Sequence, residues 1–144
     1  MSNYANVMQK HGKTFFWASW FLDKPTANKL FAVYAMCRRL DDLVDTSNKN
    51  TKTREELSKL ISSASNNQRN KNFEEFRNID SNLIPRQDII DEFLKGQLSD
   101  LDFKQPKDLS QLLKYCYRVA GVVGLMICDV LGIHDAKLRY FAID

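Results

Sequence analysis

The chain is short of imidazole, cysteine and long apolar runs, and each scarcity closes a route. Two histidines, His11 and His134, among 144 residues cannot be combined with Cys37, Cys116 and Cys128 into any zinc-binding spacing. Those three cysteines are odd in number and far apart, which fits reduced cytosolic thiols better than a disulfide framework. The longest charge-free apolar stretch, VAGVVGLMIC from Val119 to Cys128, falls well short of the roughly 20 residues that span a bilayer. MSNYANVMQKHGK at the N-terminus has no apolar centre for a signal peptide. No glycine-rich phosphate loop of the dinucleotide or P-loop type occurs. Charge is nearly balanced: 21 Lys and Arg against 18 Asp and Glu leave +3, scattered without a basic stripe, so no nucleic acid is expected. The expectation is a cytoplasmic protein, with a peripheral position at the inner face of a membrane left open.

What is present is helical. A hydrophobic share of 44% and a charged share of 27% suit one ordinary globular domain. Pro25 suits a first helical turn, and Leu30, Phe31, Val33, Tyr34, Cys37, Leu40 and Val44 recur at threes and fours, predicting a helix from about Pro25 to Asp45. Thr53 and Glu56 form a capping-box pattern for a helix to about Ser65, and Phe73–Ile79 reads as a short helix. Pro85 opens another that runs to about Leu101. Asp108 caps one from Leu109 to Leu131, and a last helix begins near His134 and continues to Asp144. No useful strand alternation appears. The fold class is all-α, five or six helices with short connections.

Chemistry concentrates in CRRLDDLVD, Cys37 to Asp45. On a helix Asp41 and Asp45 lie one turn apart on the same face and repel unless something positive sits between them. Two such carboxylates have the oxygen chemistry for magnesium, which accepts one or two carboxylates plus water and phosphate oxygens. Arg38 stands beside them, suited either to a phosphate or to a helix salt bridge with Asp42. Spacing leaves two readings open, a magnesium–diphosphate clamp and a charged helix edge. His11, Lys13 and Thr14 precede the aromatic run FFWASWF, a combination that suits a phosphorylated head with a greasy tail, or simply a core. In YCYRVAGVVG, Tyr115 to Gly124, two mid-helix glycines each forgo roughly 1 kcal/mol of helix propensity. Gly121 and Gly124 would admit either a neighbouring helix or a hydrocarbon tail close to the backbone, with Tyr115 at one end of the groove.

These segments resemble the squalene and phytoene synthase family. CRRLDDLVD is similar to its first aspartate-rich motif and YCYRVAGVVG to its second signature. HGKTF, His11 to Phe15, resembles the diphosphate-holding N-terminal segment, and PRQDIIDEFLKGQLSDLDF, Pro85 to Phe103, the region leading to an acidic end, here Asp100. The resemblance implies a partial isoprenoid-synthase helical bundle that condenses two prenyl diphosphates head to head, with Mg2+ on Asp41 and Asp45. It implies phosphate contacts from Arg38, His11, Lys13 and Thr14, and Tyr115 beside the reacting centre. A dry cavity would be lined by Phe15, Tyr34, Val119, Gly121 and Val122. Phytoene from geranylgeranyl diphosphate is the preferred product, and a squalene-type reaction on farnesyl diphosphate the alternative. The family's second aspartate-rich motif, which looks like QLTNxxRDxxED, does not occur in these residues. The expectation is therefore the N-terminal half of a synthase, from a truncated gene product or an incomplete sequence. Such a half is weak or inactive alone, or a noncatalytic fragment that needs a partner chain for the missing helices.

Overall fold

Asp23 opens the longest helix. Its carboxylate accepts from the Thr26 backbone N–H and the Thr26 hydroxyl, both at 2.9 Å, satisfying a donor that the first turn cannot pair internally. In a computed structural model that describes residues 3–47, 55, 58–59 and 85–143, this helix, α3, runs Lys24–Ser47. Before it come α1 (Asn3–His11), α2 (Lys13–Ala18) and a 3-10 turn (Ser19–Phe21). After it come α4 (Gln87–Leu101), α5 (Leu109–Cys116), a π-helical turn (Tyr117–Gly121), α6 (Val122–Val130) and α7 (Ala136–Phe141). Among the described residues there is no strand, and the architecture is all-α. Most of the helix expected over Thr53–Ser65, and all of that over Phe73–Ile79, lie outside the described residues; Glu55, Ser58 and Lys59 are helical.

The core forms where α3 meets α1, α4 and α6. Met8 of α1, Phe93 and Leu94 of α4, and Val122 and Met126 of α6 are the largest side chains closed off from solvent. Burying each is worth about 1.5–3 kcal/mol, enough to hold short helices that would fray in isolation.

Two expectations change. The helix expected over Leu109–Leu131 starts where Asp108 caps it, accepting from the Gln111 N–H at 2.8 Å, but it is widened at Tyr117–Gly121. There the chain passes so close to α4 that a Cβ on Gly96 would stand 2.9 Å from the Arg118 carbonyl oxygen. The C-terminal helix ends at Phe141 rather than continuing. It is opened by Asp135, whose carboxylate accepts from the Lys137 and Leu138 N–H groups, and is followed by a turn at Ala142 and Ile143.

That turn lies on the two glycines of α6 and the π turn. A Cβ on Gly124 would come within 1.9 Å of the Ala142 carbonyl oxygen, and one on Gly121 within 3.0 Å of Ile143. Of the two uses open to these glycines, the structure shows close approach of the chain's own backbone. Gly132, at φ 68°, ends α6, with Ile133 N–H donating to the Cys128 carbonyl at 2.8 Å. Asp129 ties three segments together: it accepts from the Arg139 Nη1 at 2.6 Å and from the Arg86 N–H at 3.0 Å.

Candidate functional site

Successive turns of α3 place Leu30, Val33, Tyr34, Cys37, Arg38 and Asp41 on one face. That face forms one wall of a cavity of about 190 Å³, completed by Met8 of α1, Phe15 of α2, and Val123 and Ile127 of α6. The lining is divided by chemistry. Hydrocarbon and aromatic side chains make most of it, while Tyr34, Arg38 and Asp41 supply the polar groups. Gly12 is what lets Tyr34 lie where it does, since a Cβ there would meet the ring at 2.8 Å. Burial raises the Tyr34 phenol above its usual range, so it is a neutral donor at pH 7. Burial likewise pushes the Cys37 thiol up to about 12, leaving it a small apolar wall residue rather than a nucleophile.

Arg38 and Asp42 form the i,i+4 pair that the spacing allowed, Nη2 to Oδ1 at 2.6 Å. The guanidinium is not exhausted by it: the Arg38 Nε is buried without a hydrogen-bond partner. An unpaired buried donor is costly, and this one belongs to a cavity-lining side chain, so an anion there would satisfy it.

Asp41 is held from the other side. Gln97 of α4, only 3% exposed, donates its Nε2 to Asp41 Oδ1 at 2.9 Å. Burial raises the Asp41 carboxyl above its ordinary value; the Gln97 hydrogen bond and Arg38 oppose that, and the negative charges of Asp45 and Asp42 reinforce it. A carboxylate that is partly desolvated, crowded by like charges and bound by one neutral donor fits a cation as its missing neighbour. Asp45 is exposed on the next turn. Among the described residues no three His, Cys, Asp or Glu side chains gather as a complete metal cage. Asp41 and Asp45 fit magnesium as a partial site, the kind that needs substrate oxygens and water to finish its shell.

The remaining predicted residues are more dispersed. His11, Lys13 and Thr14 are exposed around Gly12, at the junction of α1 and α2. Of the five residues expected to line a cavity, Phe15 and Tyr34 line this one, whereas Val119, Gly121 and Val122 do not. Val122 is fully buried in the core and Gly121 faces Ile143, while Val123 and Ile127 take the wall positions on α6. Tyr115 also stands off the cavity lining. Its hydroxyl donates to Asp100 Oδ1 at 2.9 Å, and its ring meets Phe103 edge-on at 5.6 Å. Burial first, then the bond to Asp100, raises its pKa. Gln97 and Asp100 sit three residues apart on α4, so one helix carries the partners of both Asp41 and Tyr115. Gln97 was missed from sequence, yet an amide four residues after Phe93 on an otherwise apolar stripe is the signal of a buried polar group with a partner.

Comparison with known proteins identifies the family and the fold. The squalene/phytoene synthase family matches over residues 8–142. Among similar proteins, a chloroplastic phytoene synthase of Narcissus pseudonarcissus is 30% identical over 137 residues, covering 92% of this chain and 32% of its own length. Phytoene synthase 1 of Zea mays is 29% identical, with 88% and 32% covered. The 15-cis-phytoene synthase of Pantoea ananas is 26% identical, with 94% and 48% covered. A solved dehydrosqualene synthase in complex with ligand superposes with a TM-score of 0.73 at 32% identity, over 88% of this chain and 45% of that one. The chain thus spans between 32% and 48% of the length of these relatives. With matching motifs, fold and near-complete coverage from its own side, the chain belongs to the squalene/phytoene synthase family.

Proposed function

We propose that these residues form one side of a head-to-head prenyl-condensing site, with two geranylgeranyl diphosphates as substrates and phytoene as product. The observation that carries this reading is the cavity itself: apolar along most of its wall, with an orphaned Arg38 Nε and a crowded Asp41 among its few polar groups. A diphosphate with a hydrocarbon tail is the ligand class that answers both. Likeness to proteins named phytoene synthases favours geranylgeranyl over farnesyl diphosphate, the squalene-type alternative.

In this reading Arg38 donates Nε to a phosphate oxygen while its other end stays on Asp42, and His11, Lys13 and Thr14 approach the diphosphate from the α1–α2 junction. Asp41 and Asp45 hold Mg2+, which when bound neutralises diphosphate charge and eases departure of the leaving group. Gln97 keeps one Asp41 oxygen occupied and so fixes the direction of the other. The first substrate's C1–O bond breaks, with its electron pair leaving on diphosphate. The second substrate's double bond attacks that carbon, and loss of a proton closes a cyclopropyl diphosphate, which ionises in turn and rearranges. Tyr115, its hydroxyl hydrogen on Asp100, stands off this cavity wall, and its part at a reacting centre would lie with the portion of the site beyond it. Leu30, Val33, Val123 and Ile127 exclude water that would otherwise capture the cation.

The test is product analysis of the purified 144-residue chain with Mg2+ and either geranylgeranyl or farnesyl diphosphate. Little or no hydrocarbon is expected from the chain alone, because the second aspartate-rich motif does not occur in these residues. Phytoene should form when a relative's segment bearing the second aspartate-rich motif is added. Robust turnover by the isolated chain would overturn the one-sided site, and products from farnesyl diphosphate alone would overturn the choice of substrate.

A second reading, a noncatalytic helical unit that docks a partner chain, is favoured by α5. Leu109, Leu112, Leu113 and Cys116 recur at threes and fours along it, and all are exposed. Gel filtration with and without the complementary segment distinguishes such a docking unit from a self-sufficient monomer, and product analysis of the mixture distinguishes it from a condensing site.

A further inference from the structure

Among the described residues the buried polar side chains are Ser19 and Gln97, each 3% exposed. Ser19 satisfies itself within its own turn, donating its hydroxyl to the Phe16 carbonyl at 2.6 Å. Gln97 instead reaches across to another helix, its Nε2 donating to Asp41 Oδ1 at 2.9 Å. An ionised carboxylate only accepts, so the amide must turn its NH2 end to Asp41. The surrounding packing leaves Gln97 little freedom: Phe93 and Leu94 on the preceding turn are each 1% exposed, and a Cβ on Gly96 would stand 2.9 Å from the Arg118 carbonyl oxygen. Arg118 is in turn tied back to α4, its Nε donating to Glu92 Oε2 at 2.9 Å. Gln97 thus takes one of the two Asp41 oxygens from a fixed position.

A neutral donor in this place does what a charged one would not. It occupies a carboxylate oxygen while leaving the negative charge of Asp41 for a cation. Divalent ions differ in what they ask of a carboxylate: Ca2+ accepts one or both oxygens in a large, flexible shell, whereas Mg2+ demands a compact, near-octahedral one and keeps several waters. A two-oxygen grip on Asp41 would engage Oδ1 at the expense of the Gln97 bond, and an amide loosened in the core has no water to turn to. We propose that Gln97 selects the metal: by holding Asp41 Oδ1 it confines the carboxylate to a single-oxygen grip, which favours Mg2+ over Ca2+. The inference rests on the reading that Asp41 and Asp45 hold a divalent ion. It adds to that reading a positioning residue on α4 that acts through Asp41 and does not touch the substrate.

Mn2+, an oxygen-seeking ion with a paramagnetic signal, reports on the site without any turnover. The full chain is titrated with Mn2+ in the presence of the non-ionising thiolo analogue of geranylgeranyl diphosphate, bound Mn2+ is read by electron paramagnetic resonance, and Mg2+ or Ca2+ is added to displace it. In the wild-type chain Mg2+ should displace Mn2+ at lower concentration than Ca2+ does. Gln97→Met and Gln97→Leu suit the apolar setting but lack the donor, and they should shrink that preference about tenfold. Circular dichroism melting curves check that the variants fold. An unchanged preference in a folded variant would overturn the proposal, and so would an equal loss of affinity for both ions, which would reduce Gln97 to packing. The wild-type arm decides even where neither variant folds, since Ca2+ competing as well as Mg2+ there also overturns it. No Mn2+ bound beyond that taken up by the analogue alone would overturn the divalent-ion reading itself, and the proposal with it.

Discussion

The cavity wall and the outer face of α5 are written in the same pattern and meet opposite fates. Leu30, Val33 and Cys37 on α3 recur at threes and fours and are closed into the core, whereas Leu109, Leu112 and Leu113 on α5 do the same and stand in solvent. Periodicity therefore specifies that a helix has an apolar face, not what covers it. The inner region is what holds the chain folded; the outer faces of α2 and α5 stand in solvent.

The sharpest way to break that contrast is a pair of alanine substitutions. Phe93→Ala, at the centre of the core, should cost about 3–5 kcal/mol in urea unfolding. Leu113→Ala should stay within about 0.5 kcal/mol, as for an exposed position without partners. Equal losses at the two sites would mean that α5 is packed after all. Next in size, Gly124→Ala should cost about 1–3 kcal/mol, because the added methyl meets the Ala142 carbonyl. A neutral result would detach the C-terminal turn from α6. Asp108→Ala removes the cap of α5 and should cost about 1 kcal/mol, seen as a lower melting temperature.

Asp41→Asn is expected to act in the opposite direction, with a small rise in melting temperature at pH 7. Burial raises the carboxyl above its ordinary 3.8, so the fold favours the protonated acid. The stability this supplies is complete below pH 3.8 and is lost as pH rises through the higher folded value. The asparagine variant keeps it, and the gap between variant and wild type should therefore open across that window and stay constant above it. Melting curves recorded from pH 3 upward check the sign, and a gap that closes with rising pH would contradict it.

How much of this was legible in sequence differs by kind of residue. Asp108 as a cap, the long helix carrying Arg38 and the two aspartates, and the Arg38–Asp42 pair follow from local spacing, and they stand as expected in the structure. The widened turn at Tyr117 was not legible, because an apolar stripe over 23 residues tolerates a one-residue slip without losing its character. It is nonetheless this region that leaves Val123 and Ile127 on the cavity and Val122 in the core. Gln97 bonding Asp41 is a contact across 56 positions, which no local pattern specifies. The two glycines were recognised as a close approach, but which segment approaches is a tertiary fact.

The central claim is that Asp41 and its neighbours bind a prenyl diphosphate through Mg2+ on one side of a site. Titration calorimetry of the chain with the non-ionising thiolo analogue of geranylgeranyl diphosphate tests it directly. The account predicts saturable binding that requires Mg2+ and is lost in Asp41→Asn, a variant whose melting curve shows it folded. Binding of equal strength in chelator and in the variant, or no binding to the wild-type chain, would contradict it.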